Sequence, residues 1–273
     1  MRKTVRACLS LFRISLAENF QYRTSALSGV VTNLVWCFIE AAAFGVFFKY
    51  AVNAGFSGGL TLAQTISYLW VREMLLMLLS YGINDELLTK ITNGNVALEM
   101  CRPLDLYWHW FSRITAGKVA GFLMRGVICF LIAFLIPGGY GARLPASFSS
   151  FLVFLPSVFC AFLLGNAYEM LVTAIRTNTT WGDGPMHMMM LLPKVLSGSV
   201  LPLQLLPDFL QLVLLLQPFA GIIDIPARLY IGSMAPSEAW FGMSMQLFWS
   251  LTFIILGKWV MSRRLKSIVA QGG

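Results

Sequence analysis

The chain has 273 residues, of which 58% are hydrophobic and 12% charged, whereas a soluble domain carries about 25% charged residues. That deficit makes lipid the expected solvent and leaves no polar stretch long enough for a soluble domain. The net charge of +8 does not indicate nucleic acid, because Lys and Arg flank the apolar runs and do not gather on one polar domain.

Residues 3–22 place Val5, Leu9, Phe12, Leu16 and Phe20 at three- and four-residue steps, with Arg6 and Arg13 elsewhere on the wheel. That periodicity predicts an amphipathic helix lying in the membrane interface. A polar and basic stretch of this length before the first apolar run is too long for the n-region of a cleavable signal. A helix crossing a bilayer needs roughly 20 mostly apolar residues. Six segments approach or meet that requirement: 25–48, 61–83, 114–136, 148–173, 186–203 and 240–261.

Positive charge stays on the cytoplasmic side of a span. Arg2, Lys3, Arg6, Arg13 and Arg23 precede the first span, Lys90, Arg102, Arg113 and Lys118 surround the second connection, Arg176 follows the fourth span, and Lys258, Arg263, Arg264 and Lys266 close the chain. The other connections hold only Lys49, Arg143 and Arg228, so both termini are expected in the cytoplasm. The expected fold is therefore an all-α polytopic membrane protein, one domain over residues 1–273.

Two connections stand out. Residues 84–113 form a long cytoplasmic loop whose centre, Asp85 to Thr92, reads as a short helix with Leu87, Leu88 and Ile91 on one face. A loop that long usually has a function. Residues 204–235 are apolar but interrupted by Pro207, Pro218, Gly221 and Pro226, so one straight span is excluded. Two short helices re-entering the membrane from outside fit better, covering the mouth of a pathway.

No GxxxxGK[ST] phosphate loop occurs, so any ATP hydrolysis belongs to another chain. Cys8, Cys37, Cys101, Cys129 and Cys160 form no CxxC pair, and His109 and His187 fit neither HxxxH nor HExxH, so no disulfide framework or metal site is indicated. Glu40, Arg72, Glu73, Arg125 and Glu169 fall within spans, where ionisable groups mark pairs or pathways. Arg72 or Arg125 is expected to neutralise Glu40 or Glu73. Two readings of Glu40 stand: a structural partner, or a cavity acid that attracts a cationic substrate. The run Met186 to Met190 suits an adaptable lining for hydrophobic ligands better than a copper site, since consecutive residues point around a helix, and Met189 and Met190 are candidates for the substrate path. An intramembrane serine protease using Ser199 and His187 is disfavoured, because twelve helical residues separate them by about 18 Å.

The stretch Ile91-Thr92-Asn93-Gly94 followed by Leu98 and by Arg102-Pro103-Leu104 resembles the "I-x-x-G … L-x-x-x-R-P-L" pattern of the type 2 ABC exporter permeases, in the branch of daunorubicin-exporter-like and uncharacterised efflux permeases. Leu196-Ser197-Gly198, Leu201-Pro202-Leu203, Leu206-Pro207, Gln217-Pro218-Phe219, Pro226 and Tyr230-Ile231-Gly232 are similar to that family's succession between its last two spans. Met100 and Cys101 depart from the apolar residues usual there.

The resemblance implies that Asp85, Glu86, Leu87, Leu88, Thr89 and Lys90, with Arg102 and Pro103, couple to an ATPase. It also implies an outer gate shaped by Pro202, Leu203, Pro207, Pro218 and Phe219. The implied protein is a transport subunit without a catalytic residue or cofactor of its own, seated in a bacterial inner membrane. Its implied partners are two copies of an ABC ATPase carrying ATP and Mg, and a second, unlike permease. Amphipathic drugs, natural products, peptides or lipids are the implied cargo. An ion-coupled carrier with Glu40, Glu73 and Glu169 as a proton relay is the alternative, and an intramembrane enzyme a weaker one.

Overall fold

The computed structural model describes residues 2–53, 59–79, 87, 89, 105–177 and 183–271. Every regular element among them is helical. Helix α1 (Arg2–Gln21) is amphipathic, as its periodicity predicts, and packs along α4 (Leu106–Gly121). Ser15 is buried in that contact, and the Cys8 thiol lies 3.9 Å from the Trp108 carbonyl oxygen. Arg6, Leu9, Arg13 and Ile14 face outward. A turn at Tyr22 leads into α2 (Arg23–Asn53).

Among the described residues, four helical stretches are long and apolar enough to cross a membrane: Arg23–Tyr50, Leu106–Ala133, Phe148–Arg176 and Pro236–Arg263. Their outward surfaces are apolar. On α2 they carry Leu27, Val31, Val35, Ile39 and Val46, the arrangement expected where lipid or another apolar helix replaces water.

The other two expected spans are shorter helices. α3 (Leu62–Leu75) has 14 residues and continues through a 3-10 turn to Leu78. Its start is set by Thr61, whose hydroxyl accepts from the Gln64 N–H while the Gln64 side chain accepts from the Thr61 N–H, a reciprocal cap. From Thr65 to Leu75 every residue is buried, so α3 is the central post of the bundle. α7 (Asp183–Leu196), also 14 residues, ends before Gly198, whose φ of +85° is the left-handed conformation that glycine adopts without a Cβ penalty. The helix thus stops short of the expected Leu203.

The third span begins earlier than expected. Asp105 caps α4 by accepting from the Tyr107 N–H at 3.0 Å, so residues assigned to the cytoplasmic loop, 106–113, are helical. Tyr107 and Trp110 are buried there, which apolar counting missed because His109 and Arg113 lower the hydropathy of the segment. α4 passes through a π turn (Phe122–Val127) into α5 (Ile128–Ala133). The π turn sits where Gly126 backs onto the Met74 carbonyl of α3; a Cβ at 126 would lie 2.7 Å from that oxygen.

α6 (Phe148–Arg176) and α10 (Ala239–Gln271) form the most extensive helix pair. Between α7 and α10 the chain makes a 3-10 turn (Leu203–Leu205), α8 (Asp208–Leu216), a second 3-10 turn (Phe219–Gly221) and α9 (Asp224–Ile231). Two short helices broken at prolines are thus observed where the sequence predicts them. α9 is buried along its whole length against α3 and α6.

Gly165 on α6 faces the Leu78 carbonyl so closely that a Cβ would overlap the oxygen. Gly165→Ala is therefore expected to cost roughly 1–3 kcal/mol of stability. Gly59→Ala, with open space around it, serves as the control. Thermal midpoints of the detergent-solubilised chain check this; equal midpoints would refute the close approach.

Candidate functional site

Tyr68 and Arg72 stand one turn apart on α3 and hold the chain break that follows α7. The Tyr68 hydroxyl lies 3.1 Å from the Gly198 carbonyl oxygen and 3.0 Å from Asp224 Oδ1, so its single proton is shared between two acceptors. Arg72 Nη1 donates to the Ser199 carbonyl at 2.8 Å. Two consecutive carbonyls left without a helical partner at the end of α7 thus find donors on α3. Gly198 is required: a Cβ there would collide with the Tyr68 hydroxyl.

Asp224, 0% exposed, is the first residue of α9. Its Oδ2 accepts from Arg228 Nε at 2.5 Å, an i,i+4 pair with the acid at the helix N-terminus and the base toward the C-terminus. Nearby, Ser197 Oγ, Gln204 Oε1 and Arg228 Nη2 are buried without a hydrogen-bond partner among the described residues. The root of the 204–235 segment is therefore a polar interior within an apolar bundle.

The other terminal nitrogen of the Arg72 guanidinium faces two acids, while Nε is buried without a hydrogen-bond partner among the described residues. Nη2 is paired with Glu40 of α2 and lies 3.4 Å from Glu73. One buried cation joins α2, α3 and the break after α7. Of the two arginines expected to neutralise Glu40 or Glu73, Arg72 does so. Arg125 does not: the π turn directs it to the first turn of α2, where its Nη2 lies 3.4 Å from the Ser25 carbonyl and hydroxyl oxygens. Glu40, 31% exposed, is thus not a lone acid.

Just past the last turn of α3, Lys118 Nζ donates to the carbonyls of Leu78 and Gly165 at 2.8 and 2.9 Å and pairs with Glu169 at 3.0 Å. All three ammonium protons are used, which is what makes a buried lysine tolerable. The node ties α3, α4 and α6 together at the point where the chain leaves α3 for the 80–104 segment.

Within the proposed coupling set, Leu87 is 1% exposed and belongs to the main core cluster, while Thr89 is exposed. Asp85, Glu86, Leu88, Lys90, Arg102 and Pro103 lie outside the described residues. Pro202 precedes the first 3-10 turn and Leu203 is buried behind it, Pro207 precedes α8, and Pro218 precedes the second 3-10 turn. Phe219 meets the Tyr168 ring edge-on at 5.0 Å, and the Tyr168 hydroxyl donates to the Met189 carbonyl. Met189 and Met190 pack against the core, whereas Met188 points outward, so the methionines diverge around α7.

Tyr68, Lys118, Asp224 and Arg228 were not singled out by sequence reasoning. Lys118 was counted with the cytoplasmic flank and Arg228 with an outer connection. The legible signal was the Asp224/Arg228 spacing of four within an apolar stretch; Tyr68 carries none.

A family model described as ABC-2 family transporter protein matches residues 34–272. None of the curated proteins compared with the chain matches it. The matched region takes in α3, the buried polar nodes and both short helices of the 204–235 segment, and leaves out α1. With most of its length matched, and with helices built to span a bilayer, the chain belongs to the ABC-2 transporter family and is a membrane-embedded transport component.

Proposed function

We propose that the chain is the permease subunit of an ATP-driven exporter of amphipathic or hydrophobic small molecules. Family membership implies association with an ABC ATPase subunit. In this reading two ATPase copies and a second, unlike permease complete the machine, in a bacterial inner membrane with both termini cytoplasmic. α3 and α7, at ~1.5 Å per residue, are only about 21 Å long as α-helices. We count them as the second and fifth of six spans, completed by the turns that follow them, with α8 and α9 as a re-entrant hairpin at the outer face.

The observation that carries the proposal is the placement of α3. Its middle and last turn are clamped to the hairpin root through Tyr68 and Arg72. Just beyond, at Leu78, the chain is tied by Lys118 where it enters the proposed coupling segment. A displacement of that segment by the ATPase would reach the hairpin through a single buried helix. Opening would separate Tyr68 and Arg72 from Gly198, Ser199 and Asp224 and wet the polar atoms behind them. Pro202, Leu203, Pro207, Pro218 and Phe219 would shape the gate, with Met189 and Met190 beside the path. The ion-coupled alternative needs free acids in series, whereas Glu40, Glu73 and Glu169 each face a cation.

Leu87 is buried in the core, so replacing it would test folding and not docking. Glu86→Lys combined with Leu88→Asp is the better probe. In the complex reconstituted with its ATPase, it should abolish substrate-stimulated hydrolysis at unchanged thermal midpoint, and retained stimulation would refute the coupling role.

Glu40→Gln removes one partner of Arg72 and leaves a buried cation with a weaker acid contact, so destabilisation is expected. Transport of cationic and neutral substrates should fall together. A selective loss of cationic substrates would contradict the structural role of Glu40 and restore it as a cavity acid.

A further inference from the structure

A cavity of about 170 Å³ opens between the start of α3, the last turn of α9 and the loop before α6. Thr61, Gln64, Ser67, Arg143, Tyr230 and Ile231 are among its lining residues. It is smaller than the roughly 300–1,000 Å³ that enclose a drug-sized molecule. A headgroup or a small anion fits it; a whole transported amphiphile does not.

The chemistry of the lining is one-sided. No carboxylate contributes to it, and Arg143 has no ion-pair partner among the described residues. The Ser67 hydroxyl accepts from the Arg143 N–H at 3.1 Å and keeps its own proton to donate. In Gln64 the carbonyl oxygen is engaged by Thr61, while its amide N–H groups have no partner among the described residues.

The loop itself is held by its main chain. The Arg143 carbonyl accepts from the Tyr230 hydroxyl at 2.8 Å, the Ala142 N–H donates to Ala133, and the Ala146 N–H donates to Tyr230. The guanidinium therefore carries none of the bonds that position the loop. A rigid backbone presents an unpaired cation at a donor-lined cavity.

The cavity lies where helices end, and the loop that borders it carries exposed Tyr140 and Leu144 and leads into exposed Phe148. Exposed aromatic residues at helix ends mark the headgroup level of a bilayer. We propose that this cavity binds the phosphate of an anionic lipid headgroup, with Arg143 as the cation, Gln64 and Ser67 as further donors, and the acyl chains leaving along Leu144. The proposal requires only that the chain sits in a membrane, so it stands or falls independently of ATP-driven export.

The test uses the full chain, delipidated in detergent and titrated with phosphatidylglycerol, with phosphatidylcholine, or with inorganic phosphate, and read by native mass spectrometry and thermal midpoint. Loss of one charge-assisted contact should weaken phosphatidylglycerol binding by about tenfold or more in Arg143→Gln. Arg143→Lys should retain most of it, and Lys49→Gln, at another exposed cation, should leave it unchanged. The midpoint of lipid-free Arg143→Gln should match that of the parent chain, because the main-chain bonds remain. Equal phosphatidylglycerol binding by Arg143→Gln and the parent overturns the proposal. So does equal loss in Lys49→Gln, equal affinity for phosphatidylcholine, or stabilisation by inorganic phosphate that displaces the lipid, which would make the site one for free phosphate.

Discussion

One buried guanidinium organises the membrane domain. Arg72, in the buried last turn of α3, faces Glu40 of α2 and Glu73 with one nitrogen and the Ser199 carbonyl with another. A charge taken out of water is tolerated only when paired and hydrogen-bonded. That requirement fixes three elements at once: the approach of α2, the rotation of α3, and the position of the break after α7. Tyr68, one turn away, adds the Gly198 carbonyl and Asp224, and Asp224 in turn holds Arg228. The polar groups form a line from α2 through α3 to α9, within a core otherwise made of aliphatic, methionine and aromatic side chains.

Directional contacts of this kind suit a moving part. Apolar helix surfaces in lipid gain little by choosing one neighbour over another, whereas a hydrogen bond in a dry interior is either made or broken. The hairpin root depends on a few such bonds, and its neighbouring polar atoms would be better satisfied by water. In the proposed mechanism the root alternates between this clamped arrangement and a separated, wetted one. The 3-10 turn that follows α3 is held differently: all three protons of Lys118 are used in a closed set. The first set of contacts resembles a joint and the second an anchor.

Much of this was legible in the sequence because bilayer physics leaves a coarse imprint. Long apolar runs with basic flanks give α2, α4, α6 and α10, and the periodicity of residues 3–22 gives α1. Prolines at 207 and 218 break the 204–235 stretch into short helices where the structure has them. Boundaries were less legible. The α4 start depends on the Asp105 cap and on aromatic packing around Tyr107, and the α7 end on the backbone conformation of Gly198, neither of which hydropathy registers. The site was half legible. An ionisable residue in an apolar run announces itself, but its partner does not, so Arg72 was found while its link to Ser199 and the role of Tyr68 were not. Arg125 shows the converse: its π turn directs it to Ser25, away from the acids that composition alone would assign to it.

The central claim is that α3 holds the hairpin root closed and releases it during transport. Spin labels at Leu62, at the start of α3, and Val200, just beyond the break, report that separation directly; both side chains are exposed. Measured on the chain assembled with its ABC ATPase, the interlabel distance should lengthen when the ATPase is trapped with ATP and vanadate, and return on nucleotide release. A single, unchanged distance distribution in a complex that still transports would contradict the account.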